Sequence, residues 1–190
     1  PWMCFQQDLR RAGVAPEALD RVANRSMMEN AEALRAGEFD AVQVFQPFAE
    51  ELIEAGDAQI WYAAASRGLT TYTAFNTTRG FMEREPDALL RMTRAMYRTQ
   101  KWIVNNSAET FAGRIASYFP DMPRELLTLS IARYKSLGIW NETPVLEREG
   151  YERLRESCVS GGLIREGIPY DLGVEMRFAE SVIMEDPEPI

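Results

Sequence analysis

The sequence predicts an α/β protein whose second half is mostly helical. Short runs of β-branched and aromatic residues alternate with helical patterns over the first 76 residues. From residue 78 onward the apolar residues recur at helical spacing alone. The chain has 190 residues and is 46% hydrophobic, which is enough for one domain or two small lobes. We expect a first part over 1–70 and a second part over 71–190 that begins with a strand.

The first helices are bounded by recognisable end signals. A helical pattern over 1–12 begins at Pro1 and stops before Gly13, a residue suited to a left-handed C′ position. Ser26 and Glu29 have the spacing of a capping box and predict a second helix to about residue 36.

Four short segments are rich enough in β-branched or aromatic residues to predict strands, with the earliest the weakest. They cover residues 20–24, 40–45, 60–65 and 71–76. Pro47 follows the second of these segments and is placed to open a helix over 48–55. Three glutamates of that helix, Glu50, Glu51 and Glu54, are expected to form a solvated face.

The remaining helices are predicted from apolar spacing and capping residues. A long helix runs from Pro86 to about Val104, and Ser107 and Pro123 open the next two. A further helix covers 146–158, and residues 185–190 are expected to form an acidic, frayed tail.

The composition argues against several classes of protein. The net charge is −8 and there is no basic block, so we expect no nucleic-acid partner. No apolar run approaches the roughly 18–20 residues of a membrane span.

The sequence also predicts no catalytic apparatus, no metal site and no cofactor. There is no histidine, and Cys4 and Cys158 stand far apart outside any CxxC spacing, so they indicate neither a zinc site nor a disulfide framework. Cys4, near a helix start, is the one candidate nucleophile, and no base accompanies it.

One stretch of sequence resembles a known family. Residues 33–48 read ALRAGEFDAVQVFQPF, which is similar to the segment "A-L-x-x-G-x-x-D-A", apolar strand and aromatic-x-Pro-aromatic turn of the ABC importer substrate-binding proteins for nitrate, sulfonates, taurine and thiamine-precursor pyrimidines. Residues 72–75, 85–87 and 102–109 extend the resemblance to the family's returning strand, long helix and "W-I-x-x-N" segment.

The resemblance implies a type 2 periplasmic binding fold and covers residues 2–183, but it matches only the later part of such proteins. Residues 1–70 would then be a partial second lobe. Residues 71–190 would be the returning strand and C-terminal helices of the first lobe, whose N-terminal segment is missing. The chain, which starts at Pro1, is therefore expected to be a fragment or a processed product that exposes apolar surface to that segment.

The same resemblance implies a periplasmic or extracytoplasmic ligand holder that delivers a small organic or anionic solute to an ABC permease. Two alternatives remain open. One is a ligand-sensing regulatory domain. The other is a thiamine-pyrimidine biosynthesis enzyme related by fold, although such enzymes depend on a histidine and a Cys-rich stretch that this chain lacks.

Candidate ligand-binding residues follow from the rule that ligands bind at strand ends and helix starts. Phe45, Gln46 and Phe48 flank Pro47 at such a corner, where an aromatic wall, an amide and free backbone N–H groups could hold a polar ligand. The alternative is that both phenylalanines belong to the core.

Three further residues are candidates, each with a structural alternative. Trp2 could stack on a planar ring or pack in the core. Arg67 could clamp an anion in bidentate fashion or be a solvated loop residue. Tyr72 could direct its phenol to the ligand or pack in a sheet.

Overall fold

Ten α-helices and three short 3-10 turns make up the regular structure of the computed structural model, which describes all residues from 1 to 190. The 3-10 turns are Pro16–Ala18, Ala64–Arg67 and Ala116–Tyr118. The helices are α1 (Trp2–Arg11), α2 (Met27–Arg35), α3 (Phe48–Glu54), α4 (Arg79–Arg84), α5 (Pro86–Asn105), α6 (Ala108–Ile115), α7 (Arg124–Ser136), α8 (Arg148–Ser160), α9 (Tyr170–Gly173) and α10 (Arg177–Glu185). None of them is long and apolar enough to span a membrane.

The structure contains no β-strand, so the α/β description of the chain is not confirmed. Residues 20–24, 40–45 and 71–76 have neither helix nor strand structure, and 60–65 ends in a 3-10 turn. A strand requires ladder hydrogen bonds to a neighbour, and no two of these segments pair with each other. The β-branched composition predicted a local preference, but none of these segments forms the ladder of hydrogen bonds that a strand needs.

The predicted helices are confirmed, because their end signals act locally. Ser26 Oγ accepts from Glu29 N at 3.2 Å, and Glu29 Oε2 accepts from Ser26 N at 2.6 Å, which completes the capping box of α2. At the other end of α2, Gly37 has a φ of +72°, and Glu38 N donates to Ala33 O at 2.9 Å. This is the Schellman closure that favours glycine.

The chain forms two compact units that interleave in sequence. The first unit consists of Pro1–Ala18, Arg67–Asn105 and Trp140–Ile190, and the second of Leu19–Ser66 and Asn106–Ile139. The predicted division at residue 70 refers to the lobes of a longer protein and stays a prediction.

The second unit is built on α2, α3, α6 and α7. Helix α7 packs against both α6 and α3, and α3 packs against α2. Small side chains allow these helices to approach closely. The buried apolar residues are Ala31, Ala33, Leu52, Ala108, Ala112, Leu127 and Ile131.

The first unit is built on two helix pairs, α1 with α8 and α5 with α10, and α4 packs on α5 and α9 on α8. Its buried residues are Cys4, Pro16, Tyr97, Gly150, Ser157, Ala179 and Val182. The close packing of α10 on α5 also decides the position of the C-terminal tail.

The tail is not frayed, contrary to the prediction. Arg94 of α5 binds the Glu185 carboxylate at 2.7 Å, Lys101 binds the Pro187 carbonyl at 2.9 Å, and Arg98 binds the Glu188 carbonyl at 2.8 Å. These three cations lie along one face of α5 and form a basic row. Because α10 packs on α5, the tail that follows α10 lies beside this row and binds to it. The acidic composition alone did not show that a basic row would lie beside it.

Candidate functional site

The corner at residues 45–48 joins an extended segment to α3 in the second unit. The peptide bond between Gln46 and Pro47 is cis, and α3 begins at Phe48. Phe45 is 44% exposed and Phe48 is half-buried, so the corner presents part of an aromatic surface to solvent. The alternative that both rings belong to the core is therefore not supported for Phe45.

The Gln46 side chain caps α3. Its Oε1 accepts from Glu50 N at 3.1 Å, and its Nε2 donates to Glu50 Oε1 at 3.2 Å. The backbone N–H of Gln46 donates to Tyr134 Oη at 3.3 Å. The amide predicted to meet the ligand is thus turned back onto the helix, and its ligand contact stays a prediction.

The backbone N–H groups expected to be free at this corner are mostly used. Ala49 N donates to Phe45 O at 3.3 Å, and Glu51 N donates to Pro47 O at 3.0 Å. Because Gln46 already satisfies the N–H of Glu50, an anion-binding helix start does not follow from this geometry.

Glu50 is a buried charge, which corrects the expectation of a solvated glutamate face. It is 2% exposed, and its Oε1 and Oε2 accept from Arg133 Nε at 2.6 Å and Arg133 Nη2 at 3.3 Å. The Glu50 carboxylate raises the pKa of Arg133 above its usual value. This ion pair links α3 to α7. The same Glu50 carboxylate also accepts a hydrogen bond from Gln46 Nε2, so the pair helps to hold the Gln46 side chain in place.

Sequence reasoning missed the pair because Glu50 and Arg133 are 83 residues apart. A partial signal was available, since Gln46 and Glu50 stand four residues apart across a helix start. Nothing in the local pattern indicated that the cation paired with Glu50 would be Arg133 of α7.

Two open surface cavities of the second unit lie away from the corner at residues 45–48. One has a volume of about 270 Å³ beside α2, and the other has about 460 Å³ between α3 and α7. Neither is lined by any of the six predicted ligand residues. The larger is lined by Arg35, Glu51, Glu54, Pro123, Glu125, Leu126 and Leu129.

Three predicted ligand residues lie in the first unit, and two of them are tied to α1. Trp2 is the first residue of α1, with its ring centroid 6.0 Å from that of Phe5. Arg67 binds Asp8 of α1 through Nε at 3.0 Å and Nη2 at 2.5 Å, both to Oδ2. The Arg67 and Asp8 side chains are only 11% and 14% exposed, so Arg67 is not a solvated loop residue.

Tyr72 also lies near α1. Its side chain is 54% exposed, and its pKa is raised, first by partial burial and then by the charge of Cys4. The preceding residue, Thr71, donates its N–H to the carbonyl of Gly150 at 3.0 Å. The segment that carries Tyr72 is thus held against the start of α8.

The structure therefore groups the six candidates as two sets of three. Phe45, Gln46 and Phe48 form the corner in the second unit, whereas Trp2, Arg67 and Tyr72 lie about α1 in the first. The ligand-binding role of each set stays a prediction. Cys4, the candidate nucleophile, is 3% exposed, which removes it from contact with substrate.

The approach of Thr71 to α8 requires glycine at position 150. A Cβ added to Gly150 would lie 2.9 Å from Thr71 Oγ1 and 3.2 Å from Thr71 N. We expect Gly150→Ala to lower the free energy of unfolding by about 1 kcal/mol, because overpacking of roughly 1–3 kcal/mol exceeds the helix propensity of alanine. Urea denaturation followed by circular dichroism measures the difference.

Gly80→Ala is the matched control, since a Cβ there would meet only the flexible end of Arg84 at 3.2 Å. It should raise stability by up to about 1 kcal/mol. Equal stabilisation by both substitutions would show that Thr71 does not lie against α8.

Comparison with known proteins gives the chain a family. A sequence model of the NMT1-like family matches residues 1–117. The Bacillus subtilis (strain 168) protein named "Putative binding protein YtlA" is 27% identical over 187 residues, which cover 97% of this chain and 56% of that protein. No solved structure matches the chain.

The chain thus spans little more than half the length of the relative it matches. The matches confirm the family resemblance found in residues 33–48. With more than half of its residues matched, the chain belongs to the NMT1-like family.

Proposed function

We propose that this chain is part of a solute-binding protein that captures a small organic or anionic molecule for an ABC importer. The supporting observation is the similarity, over 97% of the chain, to a protein named as a binding protein. A thiamine pyrimidine precursor, a sulfonate or nitrate is the class of solute that the family resemblance implies. The importer permease and an extracytoplasmic location are parts of this proposal.

The exposed aromatic side chains support a planar or partly apolar solute. Phe45 and Tyr72 keep about half of their surfaces exposed, at 44% and 54%. Rings exposed at loop corners provide contact area with little loss of conformational entropy. We infer that Phe45 supplies a ring contact in the second unit. Tyr72 and Trp2 are separate candidates for ring contacts in the first unit.

The unpaired extended segments support a role within a longer protein. Ile60, Trp61 and Phe75 are large apolar residues with 44%, 87% and 70% of their surface exposed. We infer that segments 40–45 and 71–76 pair with strands from residues that the relative has beyond the matched region. In this proposal those strands belong to the N-terminal segment of the first lobe. That segment would complete the lobes to which residues 1–70 and 71–190 contribute.

A thermal-shift screen of the full-length protein tests the proposed function. Pyrimidines, sulfonates, taurine and nitrate are added separately, and one of them should stabilise the protein by about 2.7 kcal/mol at a hundredfold excess over Kd. Absence of any shift across this panel would contradict solute capture of the proposed class.

A matched pair of variants in the second unit then tests the corner. Phe45→Ala should weaken binding of the identified solute by about tenfold, which is the usual loss for a central aromatic contact. Tyr118→Ala removes an aromatic side chain that is 80% exposed and lies outside the corner, and it should leave Kd unchanged. Equal losses from both would place the binding contact elsewhere.

A further inference from the structure

Helices α1 and α8 approach most closely where Met3 meets Gly161. A Cβ added to Gly161 would lie 3.0 Å from Cγ and 3.3 Å from Cβ of Met3. Farther along α1, Arg10 Nη1 donates to Ser160 Oγ at 2.7 Å, and Arg11 binds Glu156 at 3.0 Å. The missing side chain at Gly161 allows the two backbones to come together.

Both cysteines of the chain lie beside this contact. Cys4 follows Met3 directly, and Cys158 precedes Gly161 by three residues, or one helical turn. Neighbouring Cα atoms are about 3.8 Å apart, and residues three apart on a helix are separated by about 5–6 Å. The close contact between Met3 and Gly161 thus places both cysteines at the same crossing of α1 and α8, and a disulfide between them requires a Cα separation of roughly 4.4–6.8 Å.

The burial and electrostatics of the thiols agree with this placement. Cys4 is the buried residue of α1, at 3% exposure, whereas Cys158 is half-buried next to the buried Ser157. Burial raises the pKa of the Cys158 thiol, and the charge of Cys4 raises it further.

We propose that Cys4 and Cys158 form a thiol pair that closes to an intramolecular disulfide when the protein meets an oxidising disulfide such as glutathione disulfide. The more exposed thiol, Cys158, loses its proton and attacks one glutathione sulfur, and the other glutathione leaves as a thiolate. Cys4, after losing its proton, attacks the Cys158 sulfur and displaces the second glutathione. Two protons leave the protein thiols, and two electrons reduce glutathione disulfide to two thiols.

Closure would bind α1 covalently to α8. Because Trp2 starts α1 and Tyr72 lies beside Cys4, the disulfide would also restrain this set of candidate ligand residues. That regulatory consequence rests on the proposed function, whereas formation of the disulfide does not.

The test is oxidation of the folded chain in mixtures of reduced and oxidised glutathione. Free thiols are counted, and peptides are mapped by mass spectrometry after digestion without reductant. The two thiols should disappear together, a Cys4–Cys158 crosslinked peptide should appear, and the urea midpoint should rise relative to the reduced chain. A glutathione adduct at Cys158 alone, a disulfide between two chains, or no reaction would overturn the proposal.

A displaced thiol provides the control. The double variant Cys158→Ser with Val159→Cys moves the sulfur by about 100° around α8, to a position that is 41% exposed. It should give no crosslink to Cys4. Crosslinking as fast as in the native chain would show that the reaction reports chain flexibility, and the proposed pairing would fail.

Discussion

Replacement of Arg133 by methionine is expected to lower the free energy of unfolding by about 3–5 kcal/mol. The substitution removes both guanidinium donors and the positive charge from a Glu50 carboxylate that is only 2% exposed, and it leaves the neutral Gln46 Nε2 as a side-chain donor. A buried charge that has lost its ionic partner has about this cost. Glu50→Gln should cost less, because Arg133 is 36% exposed and its guanidinium can turn to water. Urea denaturation of each variant at neutral pH measures the difference.

Comparison of the two single variants tests the cause. Arg133→Met leaves a buried carboxylate without its guanidinium donors, whereas Glu50→Gln leaves a guanidinium that water can reach. Equal losses of stability from the two substitutions would contradict this account.

The double variant Glu50→Leu with Arg133→Met serves as the control for packing. Replacement of a buried ion pair by apolar side chains of similar volume is often neutral or stabilising. The double variant should therefore be closer to the native chain than Arg133→Met alone. A loss equal to or larger than that of the single variant would mean that shape, and not charge, makes the α3–α7 contact.

Asp8→Ala is expected to be the second large loss, about 3 kcal/mol. Asp8 holds Arg67 through three contacts between 2.5 and 3.2 Å, and both side chains are nearly nine-tenths buried. Removal of the carboxylate takes away the charge-assisted partner of a poorly solvated guanidinium. The double variant with Arg67→Met should recover much of the loss.

Glu17→Ala is the matched surface control for Asp8→Ala. Glu17 pairs with Arg10 at 3.6 Å, and its side chain is 76% exposed. Exposed pairs contribute about 0–1 kcal/mol, so this variant should be nearly as stable as the native chain. Similar losses from the two substitutions would show that burial does not set the strength of the Asp8–Arg67 pair.

The two ion pairs also affect the interpretation of the ligand candidates. Glu50 holds the Gln46 amide through two hydrogen bonds, at 3.1 and 3.2 Å, so a ligand that uses this amide must compete with the helix cap. Arg67 would likewise have to leave Asp8 before it could clamp an anion. Stacking on the aromatic faces of Phe45 or Tyr72 would not compete with these hydrogen bonds, since an aromatic face needs no polar partner.

The features that depend on residues close together in the sequence were predicted correctly. The capping box at Ser26 and Glu29 involves residues three apart, and the spacing of apolar residues over 86–104 involves one helix face. Family membership was equally accessible, since residues 33–48 carry the motif in a single contiguous run. The expected strands failed because their partners cannot be recognised from their own composition.

The sequence by itself determined seven of the ten helices and the family, because each of these depends on residues that are close together in the chain, but it did not show α4, α9 or α10. Only the tertiary structure decided that Glu50 is a buried charge, that the acidic tail meets the basic row of α5, and that Cys4 and Cys158 lie at one helix interface. The physical reason is separation along the chain: Glu50 meets Arg133 across 83 residues and Arg94 meets Glu185 across 91. Packing joins such residues, and no local pattern contains that information.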